Sequence, residues 1–371
     1  MKSKFLFLMA ALCALAGCRG QADGPADDQS DAIIEGAVEL LCDRDIIIPN
    51  GSDCANLRLI VTDANGIVHD VTNGAEFFIS GESEALASSA FTTTTPADYE
   101  LYAIYGMSVS EKVKVSAIEG IAELPENKGD GEFAHRILLI QHTGHLCPAC
   151  PRVISVLKTL SEDPDYASRY CHVASHSYHN TDPAFSISAQ NLSATVCSGY
   201  YPDITYNYNV STWYSMEPND LEGIKRRIDE LQNPYAAVGI TATVTHKDGK
   251  LYVNSEIKSV VNNEFRLAYW VLEDGIYAKQ EGATAAWQNT HDNTLQLMYG
   301  SSFLNQLYGE SVGTLRAGES VKRIVAIDCN EDWVLENCKV VIMVSSPLGD
   351  EFEMENAIVC PVGGSVAYEY Q

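Results

Sequence analysis

Positive charge is what this chain of 371 residues has least of: 24 Lys and Arg stand against 50 Asp and Glu, a formal charge of −26. A surface of that sign repels phosphate backbones and anionic lipid faces, which argues against nucleic-acid binding. Long apolar runs are missing after the first residues, so no later segment reads as a transmembrane helix. There is no Gly-rich phosphate loop, and Ser, His and Asp are scattered without the pattern of a triad. Only one Cys-x-x-Cys occurs, whereas structural zinc is often held by two spaced pairs. Pro151 stands where haem attachment needs a His. The 46% hydrophobic and 20% charged content is that of soluble globular protein, long enough for two or three domains.

What is present centres on residues 135–153, HRILLIQHTGHLCPACPRV. Ile137 to Ile140 reads as a buried strand and Thr143-Gly144 as a turn. Val153, Val156, Leu157 and Leu160 then recur at helical spacing. Strand, turn, Cys147-Pro-Ala-Cys150 and helix make the context in which the pair reads as a thioredoxin-like redox motif. A Cys at a helix start meets unsatisfied amides and the positive dipole end, both of which favour a thiolate. Pro148 suits the first helical position. Cys150, one turn on, is placed to resolve a mixed disulfide with Cys147. His142 and His145 are expected to add positive charge beside them.

The start of the chain reads as a leader. Lys2 and Lys4 precede an apolar core, Phe5 to Leu15, that is too short to span a bilayer. Leu15-Ala16-Gly17-Cys18 looks like a lipobox, which predicts a signal peptide over 1–17 and lipidation of Cys18; ordinary secretory cleavage is the plain alternative. Acyl chains on Cys18 would anchor the protein to a membrane without a spanning helix. Export makes the compartment disulfide-permissive. Of 11 cysteines, Cys42 with Cys54 and Cys329 with Cys338 are expected as staples worth about 2–3 kcal/mol each. Cys171, Cys197 and Cys360 are left unassigned.

Composition divides the rest. Residues 18–34 read as a flexible tether. Residues 35–120 carry short alternating strands, as in Leu57, Leu59 and Val61 against Arg58, Ile60 and Thr62, with a turn at Asp63-Ala-Asn-Gly66; they predict an antiparallel sandwich. Residues 133–234 are expected to form an α/β thioredoxin-like domain. Within it, Ala184 to Val196 reads as an inserted helical or irregular piece. Pro202, after Tyr201, is the candidate for a cis proline facing the Cys pair, and Asn219 to Leu231 reads as an amphipathic helix. Residues 236–371 return to strands, with a hairpin turn at Lys247-Asp-Gly249, and predict a C-terminal antiparallel β-sandwich in which 287–309 is an insertion.

At this point the chain resembles the twenty-eight-kilodalton outer membrane protein family of Bacteroidota, on ILLIQHTGHLCPACPR (137–152), GYYPDITYN (199–207), LEDGIYAKQ (272–280), THDNTLQ (290–296) and ENCKVVIMV (336–344). Residues 35–120 resemble the immunoglobulin-like modules of bacterial surface proteins. The family resemblance implies an outer-membrane lipoprotein of the cell envelope, often surface-located, with a thioredoxin-like core and a β-sandwich tail. Thioredoxin-like enzymes tend to carry an acid at the position of Gln141. Gln cannot accept a proton, so His142 or water would have to serve as base for the resolving thiol.

Two function classes follow. In the first, Cys147 and Cys150 exchange with protein thiols or disulfides while Tyr201-Pro202 presents backbone to an extended substrate; no cofactor is implied. In the second, the pair is a structural disulfide in a surface-binding lipoprotein that meets an envelope partner through aromatics such as Tyr200, Tyr201, Tyr206, Tyr208, Trp213 and Tyr214. A metal reading, with His142, His145, Cys147 and Cys150 joined by His172, His176 and His179, is the weakest, and no metal ligands are assigned.

Overall fold

The structure, a computed structural model, describes residues 33–208, 210–213 and 220–371. Cys18, the leader, most of the expected tether, Tyr214 and Asn219 lie outside the described residues. The chain divides into two compact units. One comprises the described residues up to Ala122 with Lys322–Ala326, the other Glu123–Val321 with Ile327–Gln371.

In the first unit, strands Ala37–Cys42, Ala55–Thr62 and Val68–Asp70 form one sheet. Strands Ile46–Ile47, Val113–Ala117, Ala97–Tyr105 and Glu76–Ile79 form another. Both contribute to one core of Leu57, Leu59, Val61, Phe77, Leu101 and Val115. The alternation read in 57–62 is the observed burial pattern, because successive strand side chains point to opposite faces. Gly66 has φ +79 and closes the expected turn with its amide on Asp63 O. Cys42 is a free thiol bonded to Arg44 O, so the expected Cys42–Cys54 staple does not form.

The second unit is built on one large sheet. Its elements are β1 (Ile137–Thr143), α1 (Cys150–Ser161), β2 (Tyr170–His176), α2 (Ile187–Val196), β3 (Asp203–Tyr206), β4 (Val210–Trp213), α3 (Asp220–Leu231), β5 (Val238–Lys247), β6 (Lys250–Ser259), β7 (Asn263–Glu273), β8 (Thr294–Tyr299), α4 (Phe303–Tyr308), β9 (Glu310–Leu315), β10 (Cys338–Leu348) and β11 (Glu351–Pro361). The sheet runs β4-β3-β1-β2-β8-β7-β10-β11, with β9 beside β7. All seven residues of β1 are buried, as a strand covered on both faces requires. It runs parallel to β2 and antiparallel to β3. Helix α1 lays Val153, Leu157 and Leu160 against this sheet, in one core with Ile137, Leu139, Ile224, Trp270 and Val341.

That core crosses the expected boundary near residue 235. Strands β7, β8, β10 and β11 extend the sheet of β1–β4 rather than forming a separate sandwich, and β8, inside the expected 287–309 insertion, joins the halves through Ala174↔Thr294. Hairpin β5–β6, turned on Asp248 (φ 50) and Gly249 (φ 73), belongs to another sheet. These positive φ values are what an Asp-Gly hairpin turn requires. Cys329 hydrogen-bonds at this hairpin turn while Cys338 opens β10 opposite Glu273. Both are free thiols, contrary to the expected staple.

Candidate functional site

Cys147 and Cys150 form a disulfide with Cα atoms 5.4 Å apart. Helix α1 begins at Cys150 with Ala149 as its N-cap, so Pro151, not Pro148, occupies the first turn. Pro148 sits in the turn between the two sulfurs. The disulfide therefore straddles the amide-rich helix start, where a released thiolate gains from the dipole. It is also covered: Cys147 is 2% exposed and Cys150 0%.

The Tyr201–Pro202 peptide is cis, as expected for Pro202. Asp203, the next residue, is paired with His142 near the end of β1 from which the Cys loop departs. Tyr201 stacks edge-on against Tyr178 at 5.3 Å. A Cβ on Gly144 would lie 2.6 Å from Tyr178 Cβ, so the Cys loop, Tyr178 and Tyr201 form one continuous surface. Tyr200 is exposed, but Tyr206 and Tyr208 are buried in the core, so only part of the expected aromatic patch faces outward.

His142 is not beside the sulfurs in the way expected. Strand alternation turns it away from Gln141, towards α2, where Nδ1 meets Ser193 Oγ at 2.7 Å and Nε2 meets Thr205 Oγ1 at 2.9 Å. Thr205 gives its hydroxyl hydrogen to Val196 O, so it accepts from His142 Nε2–H. Nδ1 is then bare and accepts from Ser193, which in turn accepts from Ser177, which accepts from Tyr201. A one-directional hydroxyl chain thus runs from Tyr201 into the core. Burial pushes the His142 imidazole down to about 4, with Asp203 pulling the other way. A neutral, doubly bonded ring supplies neither positive charge nor a base to the Cys pair.

His145 anchors the Cys loop instead. Its amide donates to Asp182 Oδ2 at 2.7 Å, and its ring lies 3.4 Å from the same oxygen. Asp182 also accepts from His176 Nδ1 at 2.9 Å and from the Ala184 amide at 2.9 Å. Burial opposes ionisation of Asp182, but the His176 hydrogen bond and charge outweigh it and hold the carboxyl well below its ordinary range. Gln141 accepts from His172 through Oε1 at 3.2 Å, while its Nε2 is buried without a partner. It lines a cavity of about 380 Å³ behind α1 together with Thr143, His172, His176 and His291. Among the described residues, no group of three or more His, Cys, Asp and Glu is arranged to hold a metal ion.

The fold is similar to that of HBP35 of Porphyromonas gingivalis. The TM-score is 0.52 at 14% sequence identity, over 65% of this chain and 78% of that one. A domain of the outer membrane lipoprotein Omp28 from Porphyromonas gingivalis also aligns, with a TM-score of 0.23 and 18% identity over 35% of this chain and 90% of that one. No family model matches the sequence, and no curated protein matches it.

Three residues at the site escaped sequence reading. Asp182 stands in no motif that marks it as a ligand of the Cys loop. Gln280, the last residue of LEDGIYAKQ, and Gln288 bond the Cys loop and the first turn of α1 from 133 and 137 residues away, and nothing local in the sequence announces those partners.

Proposed function

We propose that Cys147–Cys150 is a thiol–disulfide exchange site on a thioredoxin-like framework, carried by an exported lipoprotein of the outer membrane with an immunoglobulin-like module in front. The observation that carries the reading is the disulfide across the N-terminus of α1, with cis Pro202 opening the neighbouring antiparallel strand at the same end of the sheet. In the oxidised form a substrate thiolate attacks Cys147 Sγ. The S–S bond breaks, its electron pair leaves on Cys150, and a mixed disulfide remains on Cys147. A second substrate thiolate attacks the substrate sulfur of that mixed disulfide; the substrate is oxidised and the Cys pair leaves reduced. Protons come from and go to water, because the Gln141 amide relays none. Partners are protein thiols or disulfides, and no cofactor is needed.

The test is a trap. Cys150→Ser removes the resolving thiol, and the variant is expected to accumulate mixed disulfides on Cys147 that dissolve with dithiothreitol and are absent from the Cys147→Ser, Cys150→Ser variant. The second reading is a structural disulfide in a surface-binding lipoprotein, and the low exposure of Cys147 favours it. A Cys150→Ser protein that carries no adduct on Cys147 decides for that reading.

A further inference from the structure

We infer that the segment from Ala278 to His291 is an intramolecular strap that closes over the Cys147–Cys150 loop and governs access to it, with Gln280 and Gln288 as its two latches. The inference rests on the exchange reading above and adds its regulation.

The strap is rooted where Ile276–Tyr277 pairs with Thr290–His291. From there Gln280 turns inward, and its Nε2 lies 2.9 Å from Cys147 O, 3.2 Å from His145 O and 3.3 Å from Gly144 O. The Glu281 amide donates to His145 O at 2.7 Å. Gly282, at φ +74, passes so close that a Cβ would stand 2.4 Å from Pro148 O. At the far end Gln288 Nε2 donates to Pro151 O at 2.9 Å and Ser155 Oγ at 3.0 Å, while its Oε1 takes the amides of Thr284 and Ala285. The strap is thus fastened on both sides of the disulfide, which accounts for sulfurs at a helix start being shut from solvent.

Its fastening is polar. Among residues 279–290 only Gln280 and Gln288 are buried, and no large apolar side chain of the strap enters the core. Gln280 Oε1 is itself buried without a partner, so the closed state is incompletely satisfied. Trp287, 41% exposed beside Lys158 of α1, is its one large apolar contact, and a segment held mainly by hydrogen bonds opens more readily than the sheet beneath it. The closed strap lies where another chain would have to meet the Cys loop, so a partner must displace it.

The experiment measures the rate at which dithiothreitol reduces Cys147–Cys150 in the folded chain, by quenched alkylation and mass spectrometry. Gln280→Ala and, separately, Gln288→Ala are expected to speed reduction about tenfold each, the effect of losing ~1.4 kcal/mol of closure. Urea unfolding of each variant verifies that it is folded; should one fail to fold, the other makes the test. Rates equal to the unsubstituted protein in the folded variants overturn the strap. Because a small dithiol reports access alone, faster reduction with no trapped partner in Cys150→Ser keeps the strap and removes the exchange function. Trapped partners with unchanged reduction rates do the reverse.

Discussion

Replacing His142 with Gln isolates the titration of one buried imidazole. The amide keeps both hydrogen bonds, accepting from Ser193 and donating to Thr205, but takes up no proton in the working range. In the folded chain His142 is held at about 4, against 6.5 for an ordinary His, chiefly by burial. Between those values the unfolded chain binds the proton and the folded chain does not, so folding stability rises with pH across the window. His142 therefore costs the protein stability as pH falls from 6.5 towards 4, and costs nothing well above 6.5. From about pH 7 to about pH 5 the loss due to this group is ~2 kcal/mol. His135, His172 and His291 are depressed in the same direction and are unchanged in the variant. The difference between the two proteins then belongs to His142, and any constant cost of the substitution cancels. Urea unfolding at both pH values should show the unsubstituted chain losing ~2 kcal/mol more than His142→Gln. Parallel losses would falsify the assignment of His142 as a neutral, hydrogen-bonded core residue and revive it as a charged group near the sulfurs.

Two other outcomes follow from the same contacts. Asp182→Asn confronts His145 N–H and His176 Nδ1–H with an amide that accepts less strongly, and should lower stability by about 2 kcal/mol at neutral pH, read as a shift of the urea midpoint with an unchanged slope. Native alkylation should spare Cys171 and Cys338, which burial pushes up to about 12, and Cys360, pushed up to about 11; modification of any of them before unfolding contradicts their placement.

What could be read from the sequence was local. The run from Ile137 to Cys150 places strand, turn and helix within a few residues, so the central motif, the Asp248-Gly249 turn and the alternation of 57–62 all appear in the structure. The error at His142 came from reading neighbours in sequence as neighbours in space: in a strand, adjacent side chains point to opposite faces, so Gln141 joins α1 while His142 joins α2. Pro148 and Pro151 both fit a first helical turn, and spacing alone does not choose between them. Strand patterns after residue 236 announced a sheet but not which sheet, because β7 and β8 look the same whether they edge a separate sandwich or extend β1 and β2. The strap was illegible for a plainer reason: two glutamines in a polar stretch have no periodicity, and their partners lie 133 and 137 residues away.

The most direct measurement is the equilibrium of the Cys147–Cys150 disulfide with graded dithiothreitol buffers in the folded soluble chain. An exchange site at a helix start, where the reduced form gains a stabilised thiolate, should have a reduction potential above about −300 mV, in the range of exchangeable disulfides. A potential well below about −300 mV, as structural disulfides show, contradicts the account.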